Sequence, residues 1–520
     1  MAEEKKSRLY VLQPIIERWP AVKKPEGHIT FRTKILWTLT CLILYFILTN
    51  VLIYGLQSQV VDLFAGYRFI MAGASGSIMH LGIGPIVTAS IILQLFVGAK
   101  IINLDLSKKE DKAIYQGTQK ILVIFMILIE AVPQVFGYLE PNAGLIGAVG
   151  DGGAKAVIIL QLFLGAYLVF LMDELISKWG IGSGISLFIA AGVSQSLFTG
   201  LFNWLPAQGG LEYSINNPPA GVIPGTYYLM SEMSLGQMVN EGFEYVFIGH
   251  GGYPNAIVPL LGTIFIFLIV VYTESSRIEL PLAHGRARGA RGRYPIRLIY
   301  ASNIPVILMA ALLANVNMFA MLFYTNPTLR NIPLIGGQRW IGYYPTDPAT
   351  GQLLSTTAAG GGAWYLSSLN GVQGWLLPIL RGGDQFGHEP WQLALKVIIY
   401  LSAMIFGSIL FAKFWIETTN MGPADVAKQI QRSGMQIPGF RRDPRILRKV
   451  LERYIPVVTV IGGAAVGALA GFSDAVGTVG NASGTGLLLT VGIMINLYEQ
   501  IAKEQAMEMH PVLRGFFGNE

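Results

Sequence analysis

Long apolar runs, each close to the thickness of a membrane, recur along this chain with polar and basic segments between them. Crossing a hydrocarbon core takes about 20 apolar residues in a helix. Ten stretches qualify: Ile35–Tyr54, His80–Ala99, Ala113–Tyr138, Ala156–Met172, Gly184–Phe202, Ala256–Tyr272, Pro295–Phe323, Leu393–Phe411, Tyr454–Phe472 and Gly484–Tyr498. The pattern predicts an all-α polytopic membrane protein with ten transmembrane helices. Residues 35–202 and 256–503 hold five crossings each, with 203–255 as an external hinge loop and 504–520 as a tail. An odd number of crossings per half inverts the second half relative to the first, as in inverted repeats around a central pathway.

Charge distribution supports this count. Residues 1–34 carry eight Lys/Arg and no run long enough for a signal-peptide core, so they form a cytosolic segment, with Leu9–Trp19 as a short interfacial helix. Alternating ten crossings from that start leaves only Arg68, Lys155, Arg330, Arg339, Arg381 and Lys396, of 37 basic residues, on the outer side. Such a bias is the positive-inside rule at work, and it places both termini in the cytosol of a cell membrane. At 52 % hydrophobic and 13 % charged, the composition agrees. Cys41 is the single cysteine, so no intrachain disulfide forms, and the six histidines include no pair at metal-ligand spacing. No cofactor is expected.

Two glycine-broken segments run straight into crossings, and each carries a β-branched pair four residues apart. Leu81–Thr88 has Ile83 and Val87, and Gly180–Ile189 has Ile185 and Ile189. Residues at i and i+4 share a helix face, so each helix presents a short aliphatic ridge. Two readings stand: an apolar constriction that gates by excluding water, or ordinary packing of membrane helices through small residues. Between the first two crossings, Asp62–Ser77 is rich in small residues and too short to span. It is either a re-entrant plug surrounded by protein and water or an external loop.

Polar residues inside apolar runs are functional candidates because burying them is costly. Glu130, Thr88 and Asn315 qualify, although Glu130, three residues before Pro133, also fits a side chain reaching the outer interface. Two basic cytosolic loops, 277–297 and 417–453, hold Arg286, Arg288, Arg291 and Arg293, and Arg441, Arg442 and Arg453. Clustered arginines suit phosphate, with ribosomal RNA the sharp partner; the plainer reading is sidedness and attraction to anionic lipid. Pro444–Glu452 reads as a helical projecting arm. The glycine-rich His284–Gly292 lacks the Lys-Ser/Thr of a phosphate-binding loop. A solute transporter needs a polar midplane site, yet the glycine breaks offer Ile and Val. An intramembrane hydrolase needs a base beside a serine such as Ser75, Ser77, Ser183 or Ser483, and none is placed; Asp474 is expected in an outer turn. The chain is not expected to be an enzyme.

The motifs LGIGPIVT (from Leu81), GIGSGISLFIAAG (from Gly180), PLAHGR (from Pro281), YPIRLIYASNIPVI (from Tyr294), FWIET (from Phe414) and GTGLLLT (from Gly484) together resemble the SecY family, the protein-conducting channel of the Sec translocon. The resemblance runs from about Phe31 to Pro511, in order, and Asp425–Lys428 favours the archaeal branch. It implies an hourglass pore whose waist is a ring of six aliphatic side chains: Ile83, Val87, Ile185, Ile189, Ile307 and Leu489. It implies a plug helix at Ala65, Gly66, Tyr67, Arg68, Phe69, Ile70, Met71, Ala72, Gly73, Ala74 and Ser75. It also implies a lateral gate at Thr88, Glu130 and Asn315 through which hydrophobic segments reach lipid, and ribosome docking on the two basic loops. SecE (gamma) and beta subunits are the expected partners in a heterotrimer, with the nascent or signal peptide and membrane lipids.

Overall fold

The computed structural model describes residues 8–509, apart from 19–21, 28, 58–71, 99–100, 105, 107, 138, 208–211, 240–243, 249–255, 285–290, 298–302, 327–328, 347–356, 385, 420, 433–434, 437–443 and 482. Ten helices carry the apolar runs: α1 (Phe31–Thr49), α2 (Gly84–Gly98), α3 (Lys109–Gly137), α4 (Ala143–Trp179), α5 (Gly184–Phe202), α6 (Ile257–Ser275), α7 (Ile304–Thr325), α8 (Pro390–Thr418), α9 (Pro444–Val476) and α10 (Gly484–Met509). Among the described residues nine are long and apolar enough to cross a membrane, and α2 is a shorter apolar helix.

The length of α2, 15 residues, follows from the glycine break before it. Gly82 adopts φ +52 two residues ahead of the helix, and Gly182 adopts φ +82 two residues ahead of α5. Glycine takes this left-handed backbone without steric cost. Both segments therefore turn sharply and start a helix with the aliphatic ridge at its beginning.

The helices pack in a scheme that repeats. In the first half α1 lies against α4 and α5, α2 against α3, α3 against α4, and α4 against α5. In the second half α6 lies against α9 and α10, α7 against α8, α8 against α9, and α9 against α10. Every partner has advanced by five, as two inverted halves require. The halves meet along two seams, α5 with α10 on one side and α2 and α3 with α7 and α8 on the other. Close approach of α8 and α9 rests on Gly463, Gly467 and Gly471, one per turn. A Cβ on Gly467 would lie 2.6 Å from the Met404 carbonyl oxygen, the small-residue packing that membrane helices use.

Several boundaries differ from expectation, α4 among them, which starts at Ala143 rather than Ala156; three others change the picture. The seventh helix begins at Ile304, not Pro295, because Pro295–Arg297 belongs to a strand. Strands β1 (Arg277–His284), β2 (Arg291–Arg297) and β3 (Met435–Gln436) form an antiparallel sheet in the order β2-β1-β3, with Ile278 opposite Ile296 and Ala283 opposite Gln436. The two basic loops thus join in one sheet at one end of the helical bundle. Pro444–Glu452 is not a separate arm but the start of α9: Leu447, Leu451 and Ile455 pack on Val426, Ala427 and Ile430 of the helix Pro423–Arg432. Finally, α10 continues past position 504 to Met509, and Lys34 Nζ bonds Glu504 Oε1 at 2.8 Å, tying the start of α1 to α10.

At the same end, short helices Arg8–Leu12 and Gln13–Arg18 occupy the predicted interfacial segment, whose last residue, Trp19, lies outside the described residues. Tyr10 donates to Asp111, at the start of α3. At the opposite end, the segment Val372–Arg381 caps α9. Gly371 N donates to Asp474 O and Trp375 Nε1 to Ala475 O, both at 2.9 Å, satisfying carbonyls that a helix end leaves open. The Trp364 ring there stacks on the His388 ring (4.0 Å between centroids) and meets the Lys396 ammonium (4.9 Å). Burial pushes the Asp384 carboxyl up, but hydrogen bonds from the His388 amide and ring and from the Phe386 amide outweigh it. They hold Asp384 below the usual carboxylate range.

Candidate channel waist and gate

Four of the seam helices, α2 and α5 from one half and α7 and α10 from the other, carry the six waist positions, Ile83 in the turn just ahead of α2. Ile83, Val87, Ile189, Ile307 and Leu489 are all buried in a single hydrophobic cluster, and the half-buried Ile185 packs against it. None points to the outside of the bundle. The carbonyl of Ile83 accepts from the amides of Ile86 and Val87 at 3.0 and 3.1 Å. Asp173 Oδ1, on α4, accepts from the amide of Ile185 at 2.9 Å. Both ridges are thus anchored at their first residue. No side chain among the six offers a hydrogen bond, so a gap between them repels water.

Of the plug positions, Ala65–Met71 lie outside the described residues. The remainder is held inside the bundle rather than exposed as an external loop. Ala72 is buried and its carbonyl accepts from the Tyr45 hydroxyl of α1 at 2.8 Å. Tyr45 in turn stacks on Phe188 of α5. Ile53 N bonds Gly76 O at 2.9 Å, and Ile78 N bonds Val51 O at 2.8 Å, which fastens the segment after Ala72 to the end of α1.

The structure brings the three gate positions together across the α2, α3 and α7 seam. Thr88 Oγ1 lies 2.9 Å from Glu130 Oε1 and accepts from Asn315 Nδ2 at 3.2 Å. Glu130 is 1 % exposed, so it does not reach for the interface. One turn further along α3, Gln134 Nε2 lies 3.7 Å from Met318 Sδ on α7, and Gln119 Nε2 donates to Ser90 Oγ of α2 at 2.7 Å. Sequence reasoning passed over these glutamines. Their signal is spacing: Gln134 follows Glu130 by four residues and so shares its face.

Among the basic residues, Arg286, Arg288, Arg441 and Arg442 lie outside the described residues. Arg291 and Arg293 lie on β2, and Arg453 is exposed on α9 beyond the Arg448–Glu452 ion pair (2.7 Å). Asp474 is no part of an exposed turn. It sits in the last turn of α9, 3 % exposed, where its carboxyl accepts from the Tyr400 hydroxyl (2.7 Å), the Thr485 hydroxyl (2.7 Å) and the Thr485 amide (3.0 Å). That binds α8, α9 and α10 at one point. Among the described residues no group of three or more His, Cys, Asp or Glu is arranged to hold a metal.

Ten apolar helices in two inverted halves, meeting around an aliphatic cluster with a polar seam on one side, define a polytopic helical membrane channel. The SecY profile matches residues 77–498, and that of the plug domain of Sec61p matches residues 43–76. The chain belongs to the SecY family. It is 44 % identical over 521 residues to the protein translocase subunit SecY of Archaeoglobus fulgidus, covering 99 % of each chain. It is 45 % identical to that of Haloferax volcanii, covering 98 % of this chain and 99 % of the other. Among solved structures it is similar to one described as a protein conducting channel (TM-score 0.74, 37 % identity, 96 % and 98 % of the two chains). It is also similar to Sec61 in the canine ribosome-channel complex from the endoplasmic reticulum (TM-score 0.71, 36 % identity, 96 % and 98 %).

Proposed function

We infer that this chain is the central subunit of a protein translocation channel: unfolded polypeptide passes between its halves, and hydrophobic segments leave sideways into lipid. The observation that carries the reading is the joining of two seams to one dry core. The helices that part when the halves separate are those that supply Ile83, Val87, Ile185, Ile189, Ile307 and Leu489. At rest these side chains exclude water and ions; during transport they shift rotamers around a chain of any sequence. The segment 65–75 acts as the plug, its end moored at Ala72 so that it leaves and returns to one place.

Lateral release follows from the polar seam. Each hydrogen bond between membrane helices contributes about 0.6 kcal/mol, and about 1.7 at most. Two bonds through Thr88 therefore hold the gate by only a few kcal/mol, which a hydrophobic signal helix with comparable preference for the open state overcomes. Thr88→Val keeps the shape, removes both bonds and takes from Glu130 its threonine partner, while Asn315 keeps its bond to the Ala311 carbonyl. It is expected to raise the open population roughly 8-fold, the factor that two bonds at the average of about 0.6 kcal/mol each correspond to. In reconstituted vesicles, export of a substrate with a weakened signal sequence then rises by a similar factor; unchanged export argues against the seam as gate.

Ribosome docking belongs to the sheet that unites both basic loops, together with Arg453, and cytosolic termini follow from its charge. SecE and beta subunits complete the complex, clamping halves that meet chiefly along two seams among the described residues. The deciding experiment places a photocrosslinker at Ile83 or Ile189 and stalls a nascent chain in the complex. Crosslinks to the nascent chain are expected at both positions and absent from lipid-facing Phe198, which is 65 % exposed. Saturable uptake of a small solute without such crosslinks favours a transporter instead.

A further inference from the structure

The loop that leaves the end of α7 on the face opposite the basic sheet exposes an apolar tip between two arginines. Residues 329–340 fold compactly: Gly336 N bonds Ile332 O and Gly337 N bonds Phe323 O, both at 2.9 Å, the latter fastening the loop to the last turn of α7. Its apolar side chains nevertheless point outward, Leu334 81 % and Trp340 67 % exposed, with Ile332 and Ile335 beside them. Leu334 holds φ +73, a left-handed backbone that a branched residue adopts only at a cost and that marks functional positions. The flanking cations are set in place by aromatic faces. The Arg330 guanidinium lies over Tyr324 (5.9 Å) and that of Arg339 over Tyr343 (5.4 Å). Among the described residues neither has a carboxylate partner.

We propose that residues 329–340 are a lipid anchor for the gate helix: Leu334, Ile335 and Trp340 insert into the membrane interface, and Arg330 and Arg339 bind phospholipid phosphates. Position fixes this occupant. Leu329 lies four chain steps from the end of α7 at Thr325, a reach of at most about 14 Å, and the bond to Phe323 shortens it. The loop therefore lies at headgroup depth, where tryptophan and arginine concentrate and apolar tips are covered. Because it is bonded to α7, movement of that helix drags the anchor through the interface, so lipid composition acts on the gate. Insertion of the loop uses the membrane fold alone and stands whether or not the seam opens for signal helices; its action on the gate rests on the seam reading above.

The test uses the full chain in phospholipid vesicles, with Leu334→Cys or, should that variant fold poorly, Trp340→Cys, carrying an environment-sensitive fluorophore. Cys41, 2 % exposed, stays unlabelled. Headgroup-attached nitroxide lipids are expected to quench the label at least twofold more than aqueous iodide. Stronger quenching by iodide places the tip in water, and no quenching by either shows that protein covers it; both outcomes overturn the proposal. Adding R330Q and R339Q is expected to halve the lipid quenching at least, and unchanged depth refutes the phosphate contacts.

Discussion

Ile83→Lys is expected to make the resting channel leak. Ile83 is fully buried in the aliphatic cluster, and a buried ammonium without a partner costs several kcal/mol unless water or a counter-charge accompanies it. The cluster offers no partner, so water enters and the dry barrier is lost. Planar-bilayer recordings of the variant should show resting conductance roughly tenfold or more above wild type, the scale of a barrier lowered by only about 1.4 kcal/mol. Ile83→Leu, which keeps the surface apolar, should stay at the wild-type level. Resting conductance equal to wild type in Ile83→Lys speaks against a waist at this position.

Asp474→Ala should cost the second half much of its stability. The carboxyl gathers the Tyr400 hydroxyl and the hydroxyl and amide of Thr485, and truncation takes the carboxyl acceptor from all three in a buried site. An unpaired buried donor costs about 1–3 kcal/mol, so a loss of at least about 2 kcal/mol is expected after partial repacking. The measurement is the apparent melting temperature and monodisperse yield in detergent, both falling well below wild type. Asp474→Asn, which can still accept two of the bonds, should lie between. Melting of Asp474→Ala together with wild type would remove Asp474 as the clasp of α8, α9 and α10.

Asp474 also shows where sequence reasoning stops. The apolar run of the ninth crossing ends at Phe472, so the aspartate looked like part of a solvated turn. It is instead drawn into the helix by Tyr400, 74 residues away, a partner that no local pattern reveals. The Glu130 ambiguity has the same origin. Three residues before a proline, a glutamate can reach outward, and only Thr88 and Asn315, 227 residues apart in sequence, decide that it stays inside. The extended residues at Pro295–Arg297 were absorbed into the seventh crossing because an alternating strand next to an apolar helix leaves no clear break in hydropathy.

What the sequence by itself determined is what short-range chemistry writes: ten crossings from apolar length and two sharp helix starts from Gly82 and Gly182, with the bias of Lys and Arg setting the expected sidedness. The four ridge residues after those starts were legible for the same reason, since a helix period is a local property. Which faces meet was decided only in three dimensions. The union of two distant loops in one sheet, the Thr88–Glu130–Asn315 seam, and a strained leucine lifted from a folded loop all depend on contacts between remote segments. Apolar side chains say that they will be buried but not against what, because hydrophobic attraction carries no direction.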